Sequence, residues 1–373
     1  METKVKVGLI GTGMISKAYL RGARAFEILD IVACSDIDLE RAKAVATEWN
    51  IPRVCSVAEL LADPEIQLVI NLTIPKVHAQ VSLDVIAAGK HVYSEKPFAT
   101  TLADGQHMLA AARERNVLVG CAPETFLGGA HQTCRRLIDD GAIGRPLAAF
   151  MSFARFARGG APERDFMFQV GAGPMLDMGP YYLTALVNML GPIKRVTGSV
   201  SLSSPVHVVR DGPYQGREIA VETPTHLTGA LDFASGPTAT VITSFDIHRE
   251  HNLPLLEIYG SEGILAVPDP NYHGGTIRLR RPGDKEWSEV PHNEEEGFTR
   301  GFGVADLASA IIHQRPVRAS GELAYHVLET MLAFERSSRE ERHIALESQP
   351  GRPDPIPANL PKGQFDPSEP AAQ

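Results

Sequence analysis

Short apolar runs alternate with helical stretches along the first 121 residues of the chain. The apolar runs are continuous rather than alternating, which is typical of strands covered on both faces of a parallel sheet. They are residues 4–10, 31–35, 68–72, 91–94 and 117–121, and helix-favouring stretches begin at Met14 and cover 39–49, 77–89 and 102–115. Strands that alternate with helices in this way predict a parallel sheet wrapped by helices.

The pattern changes after residues 141–146 (GAIGRP). Several later segments alternate polar and apolar residues, as expected of antiparallel strands with one face exposed or covered by a partner; they are 147–156, 194–203, 226–233, 238–248, 255–260, 263–268 and 276–281. Helices are predicted over 177–190, 302–314 and 322–341. The predicted fold class is therefore α/β plus α+β.

This pattern divides the chain into three parts. An N-terminal domain is predicted over 1–124, followed over 125–349 by a domain built on a large open, mostly antiparallel sheet. Residues 350–373 are rich in proline and predict an extended or disordered tail.

Composition places the chain among ordinary globular proteins. Its 373 residues suffice for about two domains, and 36 Lys and Arg against 45 Asp and Glu give a net charge of −9, which argues against nucleic-acid binding. No apolar run approaches the roughly 20 residues of a transmembrane helix, and the start of the chain favours a strand over a signal peptide. The four cysteines have no metal-type spacing and are expected as free thiols in the cytoplasm.

The sequence GTGMIS at 11–16 lies between the first predicted strand and the first helix. Gly11 permits a tight turn, Gly13 lets the backbone approach a pyrophosphate, and Met14 and Ile15 lead into a helix whose N-terminus favours anions. Ser16 stands where the dinucleotide fingerprint has a third glycine. This motif predicts that residues 1–124 form a Rossmann dinucleotide-binding domain.

Asp36 ends the second predicted strand, where such a fold places the acid that hydrogen-bonds the adenosine ribose. A carboxylate at this position repels a 2′-phosphate, so NAD is favoured over NADP. Arg41, one helical turn further on, keeps NADP as the second choice. The alternative is that Asp36 only begins the turn into the next helix.

Glu95-Lys96-Pro97 follows another strand of the predicted parallel sheet, at the edge where ligands collect. A lysine in this place can hold a substrate hydroxyl and ease its deprotonation. On residue type alone, a solvated surface lysine is the commoner outcome.

Several segments together resemble the glucose–fructose oxidoreductase, inositol dehydrogenase and rhizopine-catabolism (Gfo/Idh/MocA) family of NAD(P)-dependent oxidoreductases. The similarity spans about residues 4–345, and its most specific parts are AGKHVYSEKPFA (88–99) and GAGPMLDMGPYY (171–182). It implies a Rossmann domain followed by a domain with an open antiparallel sheet that commonly pairs subunits, here into a homodimer or homotetramer.

The resemblance implies a role for three residues. Lys96 matches the family's catalytic lysine, and Asp177 matches the aspartate that binds a substrate hydroxyl. Tyr181 stands where many members have a histidine acid/base, and Thr184 replaces an acidic residue often found three positions later. Because tyrosine titrates near 10 when unperturbed, Tyr181 would need a cation such as Lys96 beside it. The alternative is that Asp177 caps a helix and Tyr181 packs in the core.

The other predicted site residues follow from the same alignment of motifs. The cofactor is expected to contact Thr73, Pro75, His78 and Glu95 as well as Lys96, and Glu124 and Arg158 are expected to contact the substrate. Asp246, His248 and His251 do not share one face of a strand, so no metal site is predicted.

The predicted activity is hydride transfer between a nicotinamide cofactor and a secondary hydroxyl or ketone of a sugar, polyol or related cyclic compound. Two alternatives stay open at this point. One is a redox-neutral glycoside-modifying enzyme with tightly bound NAD, and the other is a dinucleotide-sensing regulator without catalysis.

Overall fold

The computed structural model describes residues 4–157, 161–247, 252–292, 300–357, 360 and 364–365. The chain forms two compact units that are not continuous in sequence. The first comprises Met1–Gly128, Glu295–Tyr325 and Pro353–Gln373, and the second comprises Gly129–Glu294 and His326–Arg352. The first division, at residue 128, lies close to the predicted boundary at 124, but the return of two later segments to the first unit was not predicted.

The first unit contains a six-stranded parallel sheet in the order β3-β2-β1-β4-β5-β6. Its elements alternate as the apolar pattern predicts, and the strands β1, β4 and β5 are almost completely buried. The elements are β1 (Val5–Ile10), α1 (Ser16–Ala23), β2 (Leu29–Ser35), α2 (Leu39–Trp49), β3 (Arg53–Val54), α3 (Val57–Ala62), β4 (Leu68–Asn71), α4 (His78–Ala87), β5 (His91–Ser94), α5 (Leu102–Arg115) and β6 (Val119–Cys121).

Local polar signals set the ends of these helices. Asp38 caps α2 by accepting a hydrogen bond from the Arg41 N–H, and Thr101 caps α5 in the same way. Asn50 and Asn116 end α2 and α5 in the left-handed conformation, which asparagine tolerates better than most residues. Because the six strands are parallel, the loops that follow them lie at one edge of the sheet.

Part of the proline-rich tail packs on the first unit rather than lying free. The Phe365 side chain is buried, with its ring centroid 5.8 Å from that of Phe26 and 5.3 Å from that of Phe302. The Arg318 guanidinium donates to the Phe365 carbonyl at 2.9 Å and also pairs with the buried Asp306 carboxylate at 2.7 Å. An aromatic contact and a backbone hydrogen bond thus hold this part of the tail.

The second unit is built on a nine-stranded sheet in the order β16-β15-β14-β13-β7-β12-β11-β8-β17, antiparallel except between β7 and β12. A hairpin of β9 and β10 forms a separate sheet. The elements are α6 (Gly129–Asp139), β7 (Pro146–Ala154), α7 (Gly173–Leu190), β8 (Ile193–Ser201), β9 (Val206–Val208), β10 (Glu218–Ala220), β11 (His226–Phe233), β12 (Thr238–Ser244), β13 (Leu256–Gly260), β14 (Gly263–Ala266), β15 (Ile277–Arg280), β16 (Ser288–Val290), α8 (Phe302–His313, in the first unit), α9 (Gly321–Glu340) and β17 (Ile344–Ala345).

The two faces of the large sheet differ, as the polar and apolar alternation predicts. Met151, Val241 and Leu231 belong to the buried face, which packs on α7. The paired row on the other face, Ala230, Thr240, Phe150, Glu257, Ala266 and Arg278, is partly or fully exposed. Among the described residues, none of the helices combines the length and the apolar character needed to cross a bilayer.

Candidate functional site

The glycine loop after β1 contains two glycines with different physical roles. Gly11 has φ +97°, and a Cβ there would lie 2.7 Å from the backbone of Leu72, so only glycine fits. At Gly13 φ is ordinary and an added Cβ would meet no protein atom within 4 Å. The Ser16 hydroxyl donates to the Gly13 carbonyl at 2.7 Å, and Ile15 precedes α1 without a side chain that can cap it. Nothing in the described part of the chain requires a glycine at 13, whereas a ligand lying on the loop would.

Exposed apolar side chains flank this loop. Met14 is 75% exposed, Ile37 100% and Ile74 65%. They follow β1, β2 and β4, which are neighbours in the sheet, so all three lie at its carboxyl edge. Flat apolar rings of a bound molecule could cover these side chains, and Gly13 leaves space beside them.

The Asp36 carboxylate is tied to the glycine loop and to α2. Its Oδ2 accepts hydrogen bonds from the Thr12 N–H at 2.7 Å and the Thr12 hydroxyl at 2.9 Å, and its Oδ1 accepts from the Asp38 N–H at 2.9 Å. The Arg41 guanidinium donates to Oδ1 at 2.6 Å. Burial alone would raise the pKa of Asp36, but the hydrogen bonds from Arg41, Asp38 and Thr12 outweigh it and lower that pKa to about 2. The group is therefore an ionised acceptor at neutral pH.

Lys96 follows β5, the neighbour of β4, and its side chain is half-buried. Its backbone N–H donates to the Glu95 carboxylate at 2.8 Å. The other oxygen of that carboxylate accepts the Tyr19 hydroxyl at 2.9 Å. Glu95 and Tyr19 are both buried, so the backbone at Lys96 is fixed by side chains of the core.

His78, predicted to touch the cofactor, is buried between two loops of this edge. Its ring nitrogens lie 2.8 Å from the Thr73 carbonyl and 3.0 Å from the Pro97 carbonyl. Asn71, at the end of β4, accepts from the Thr73 N–H and hydroxyl and donates to the His78 carbonyl. Sequence reasoning missed Asn71, although a polar residue inside the apolar run 68–72 was a signal for it.

The structure places Glu124 away from the role predicted for it. The side chain has no exposed surface, its Oε2 accepts the Tyr93 hydroxyl at 2.8 Å, and its Oε1 accepts the Gly301 N–H at 3.0 Å. Burial raises the pKa of this carboxyl, and Arg300 opposes that effect. With both oxygens engaged inside the first unit, Glu124 anchors the start of α8 and offers no open surface to a substrate.

In the second unit, α7 carries the predicted substrate residues. Asp177, Tyr181 and Thr184 are spaced four and three apart, so they share one face of the helix. Asp177 is half-buried, while Tyr181 and Thr184 are buried. The helix begins at Gly173 with Ala172 at its N-cap, which shows that Asp177 is not a capping residue.

Two predicted features lie outside the described residues. They are the substrate residue Arg158 and the histidines at 248 and 251. Among the described residues, no group of three or more His, Cys, Asp or Glu side chains is placed to hold a metal ion.

Two family models match most of the chain. Residues 5–122 match the model of an oxidoreductase family with an NAD-binding Rossmann fold, and residues 131–266 match that of the Gfo/Idh/MocA C-terminal domain. The chain belongs to the Gfo/Idh/MocA family of oxidoreductases. The predicted family, the fold class and the nicotinamide cofactor are thereby confirmed.

Curated relatives in this family include sugar and polyol enzymes. The chain is 30% identical to a 1,5-anhydro-D-fructose reductase of Ensifer adhaerens, over 91% of this chain and 98% of that protein. It is 23% identical to scyllo-inositol 2-dehydrogenase (NADP(+)) of Bacillus subtilis, over 92% and 96% of the two chains.

Solved structures share the fold at lower identity. Levoglucosan dehydrogenase in complex with NADH and L-sorbose matches with a TM-score of 0.80 and 20% identity, covering 93% of this chain and 100% of that one. An aldose–aldose oxidoreductase from Caulobacter crescentus matches with a TM-score of 0.76 and 22% identity, covering 92% and 100%.

The described residues fit the dinucleotide expected of a Gfo/Idh/MocA protein. The space over Gly13 and the start of α1 suit a pyrophosphate, and Asp36 presents ionised oxygens for ribose hydroxyls. The sheet places Gly11, Asp36, Thr73 and Lys96 after four adjacent strands, so the predicted cofactor residues do meet at one edge.

Gly13 gives a test of this site that leaves the fold intact. In Gly13→Ala the new methyl group meets no protein atom, so we expect an unchanged or slightly higher melting temperature. It fills the space above the loop, so we expect the Kd for NADH, from fluorescence titration, to rise at least about tenfold, or about 1.4 kcal/mol. Gly351→Ala, where an added Cβ is equally free, is the matched control. Wild-type affinity in Gly13→Ala would contradict this site.

Proposed function

We propose that this Gfo/Idh/MocA oxidoreductase transfers a hydride between NAD and a secondary hydroxyl or ketone of a sugar, polyol or related cyclic compound. The observation that carries the proposal is the position of Lys96. It stands at the carboxyl end of β5, on the same sheet edge as Gly13 and Asp36, with its backbone fixed by Glu95. The names of the relatives, a keto-sugar reductase and an inositol dehydrogenase among them, support the substrate class.

The bound nicotinamide would accept or supply the hydride at its C4 atom, and the residues of this chain would manage the substrate and its proton. Lys96 would hold the reacting hydroxyl and, through its positive charge, favour loss of the hydroxyl proton. Tyr181 would take that proton at its phenol oxygen, a role that needs a cation to stabilise phenolate. Asp177 would fix the substrate by accepting a hydrogen bond from a neighbouring hydroxyl.

The relatives support neither of the two alternatives raised from the sequence. Those named here are a reductase, two dehydrogenases and an oxidoreductase. A dinucleotide sensor would also have no use for the set of Lys96, Asp177 and Tyr181.

The decisive assay is absorbance at 340 nm with NAD or NADP against inositols, anhydro-sugars and other cyclic polyols. We expect NADH formation with one group of compounds. In Lys96→Ala we expect kcat/KM to fall by about 100-fold or more, the size of a lost acid/base contribution, while NADH still binds. Lys43→Ala, which removes an exposed ammonium from α2, is the control. Full activity in Lys96→Ala would exclude this mechanism.

We also propose that the protein is cytoplasmic and forms a homodimer or homotetramer through the open face of its large sheet. The exposed row from Ala230 to Arg278 supports an interface because it mixes small, apolar and charged side chains across six strands. Light scattering should give twice or four times the chain mass of 40.4 kDa. A monomer at micromolar concentration would contradict the interface.

A further inference from the structure

A buried phenol connects the dinucleotide-binding helix to the strand end that carries Lys96. Tyr19 lies in the first turn of α1 and is completely buried. Its hydroxyl donates to Glu95 Oε1 at 2.9 Å, across 76 positions of sequence. Glu95 Oε2 accepts the Lys96 N–H at 2.8 Å. One carboxylate therefore joins α1 to the backbone of Lys96.

Glu95 has little freedom to move if Tyr19 holds it. Its own N–H donates to the Asn71 carbonyl at 2.9 Å, and its side chain is 8% exposed. A buried carboxylate oxygen that loses its donor carries a large desolvation cost and will seek another partner. Any such reorientation would change the hydrogen bond that the Lys96 N–H donates to Glu95 Oε2.

Tyr19 can serve as a permanent donor. Burial raises its pKa well above the usual value, and the nearby carboxylates Glu124 and Glu95 and the phenol Tyr93 add to the effect, while Arg300 opposes it. The phenol therefore keeps its proton at neutral pH. It can orient Glu95, but it cannot exchange protons with a substrate.

We propose that Tyr19 is a positioning residue that, through Glu95, sets Lys96 in register with the dinucleotide-binding helix. The proposal rests on the catalytic role proposed for Lys96. The start of α1, at Ser16, faces the proposed pyrophosphate site. Tyr19, three residues further along the same helix, holds Glu95 through its hydroxyl. The cofactor site and the reacting ammonium group thus share one reference element.

The chain contains a matched control for this inference. The Tyr93 hydroxyl donates to the buried Glu124 carboxylate at 2.8 Å, and Tyr93 is as buried as Tyr19. The second oxygen of Glu124 holds the Gly301 N–H rather than Lys96. Tyr19→Phe and Tyr93→Phe therefore remove the same group from the same kind of buried carboxylate, but only Tyr19→Phe removes a donor from the carboxylate that accepts the Lys96 N–H.

The test compares both variants with the wild type. We expect both variants to lose similar amounts of melting temperature. In Tyr19→Phe alone, kcat should fall about tenfold or more, because a small misplacement of a reacting group slows the reaction. The Kd for NADH and the substrate KM should stay within about twofold of wild type. In the cofactor-free protein, the rate at which an amine-reactive reagent labels Lys96, followed by mass spectrometry, should change in Tyr19→Phe only. In a Glu95→Gln background, Tyr19→Phe should cause little further loss of kcat.

Equal kcat and equal Lys96 labelling in Tyr19→Phe and Tyr93→Phe would overturn the inference and leave Tyr19 as a packing residue. Full additivity with Glu95→Gln would overturn it too. The Lys96→Ala variant separates failure of the proposed function from failure of this inference. If that variant stays fully active, Lys96 is not the catalytic group, whatever the Tyr19 comparison gives.

Discussion

The close approach of the Gly11 backbone to the backbone at Leu72 is the constraint on which the site depends. It brings the loops after β1 and β4 together at the point where the strand order of the parallel sheet reverses direction. In open α/β sheets a crevice forms at this point, and ligands bind there. Asp36 and Lys96 follow the neighbouring strands β2 and β5, so they lie at the same edge. The chemistry of the first unit follows from this geometry.

Each of three carboxylates in the first unit accepts hydrogen bonds from a different set of donors. Asp36 stays ionised because Arg41, Asp38 and Thr12 hydrogen-bond it. Glu124 is deeper, and burial raises its pKa despite the nearby Arg300. One oxygen of Glu95 accepts a hydrogen bond from the Tyr19 phenol and the other accepts from the backbone N–H of Lys96. The three acids therefore have separate surroundings: Asp36 is the proposed ribose ligand, Glu95 accepts from the Lys96 N–H, and Glu124 accepts from the Gly301 N–H at the start of α8.

The features predicted correctly from the sequence are those that depend on local residue patterns. Continuous apolar runs gave the parallel strands, and the glycine motif and Asp36 lie together as predicted. It could not predict contacts between distant positions, such as Tyr19 with Glu95, or the burial of Phe365 from a tail that resembles a disordered segment. The prediction for Glu124 was wrong because the family resemblance suggested a substrate contact after the fifth strand, and only the fold shows that both oxygens accept hydrogen bonds from Tyr93 and Gly301.

In the proposed reaction, hydrogen would pass directly between the nicotinamide and a carbinol carbon. This transfer can be measured with NADH carrying deuterium at C4, prepared separately with the label on each face, incubated with a panel of keto-sugars and inososes. We expect mass spectrometry to find an alcohol product one mass unit heavier with one of the two labelled forms. An alcohol product free of deuterium with both forms, or no reduction of any ketone by a protein that binds NADH, would contradict it.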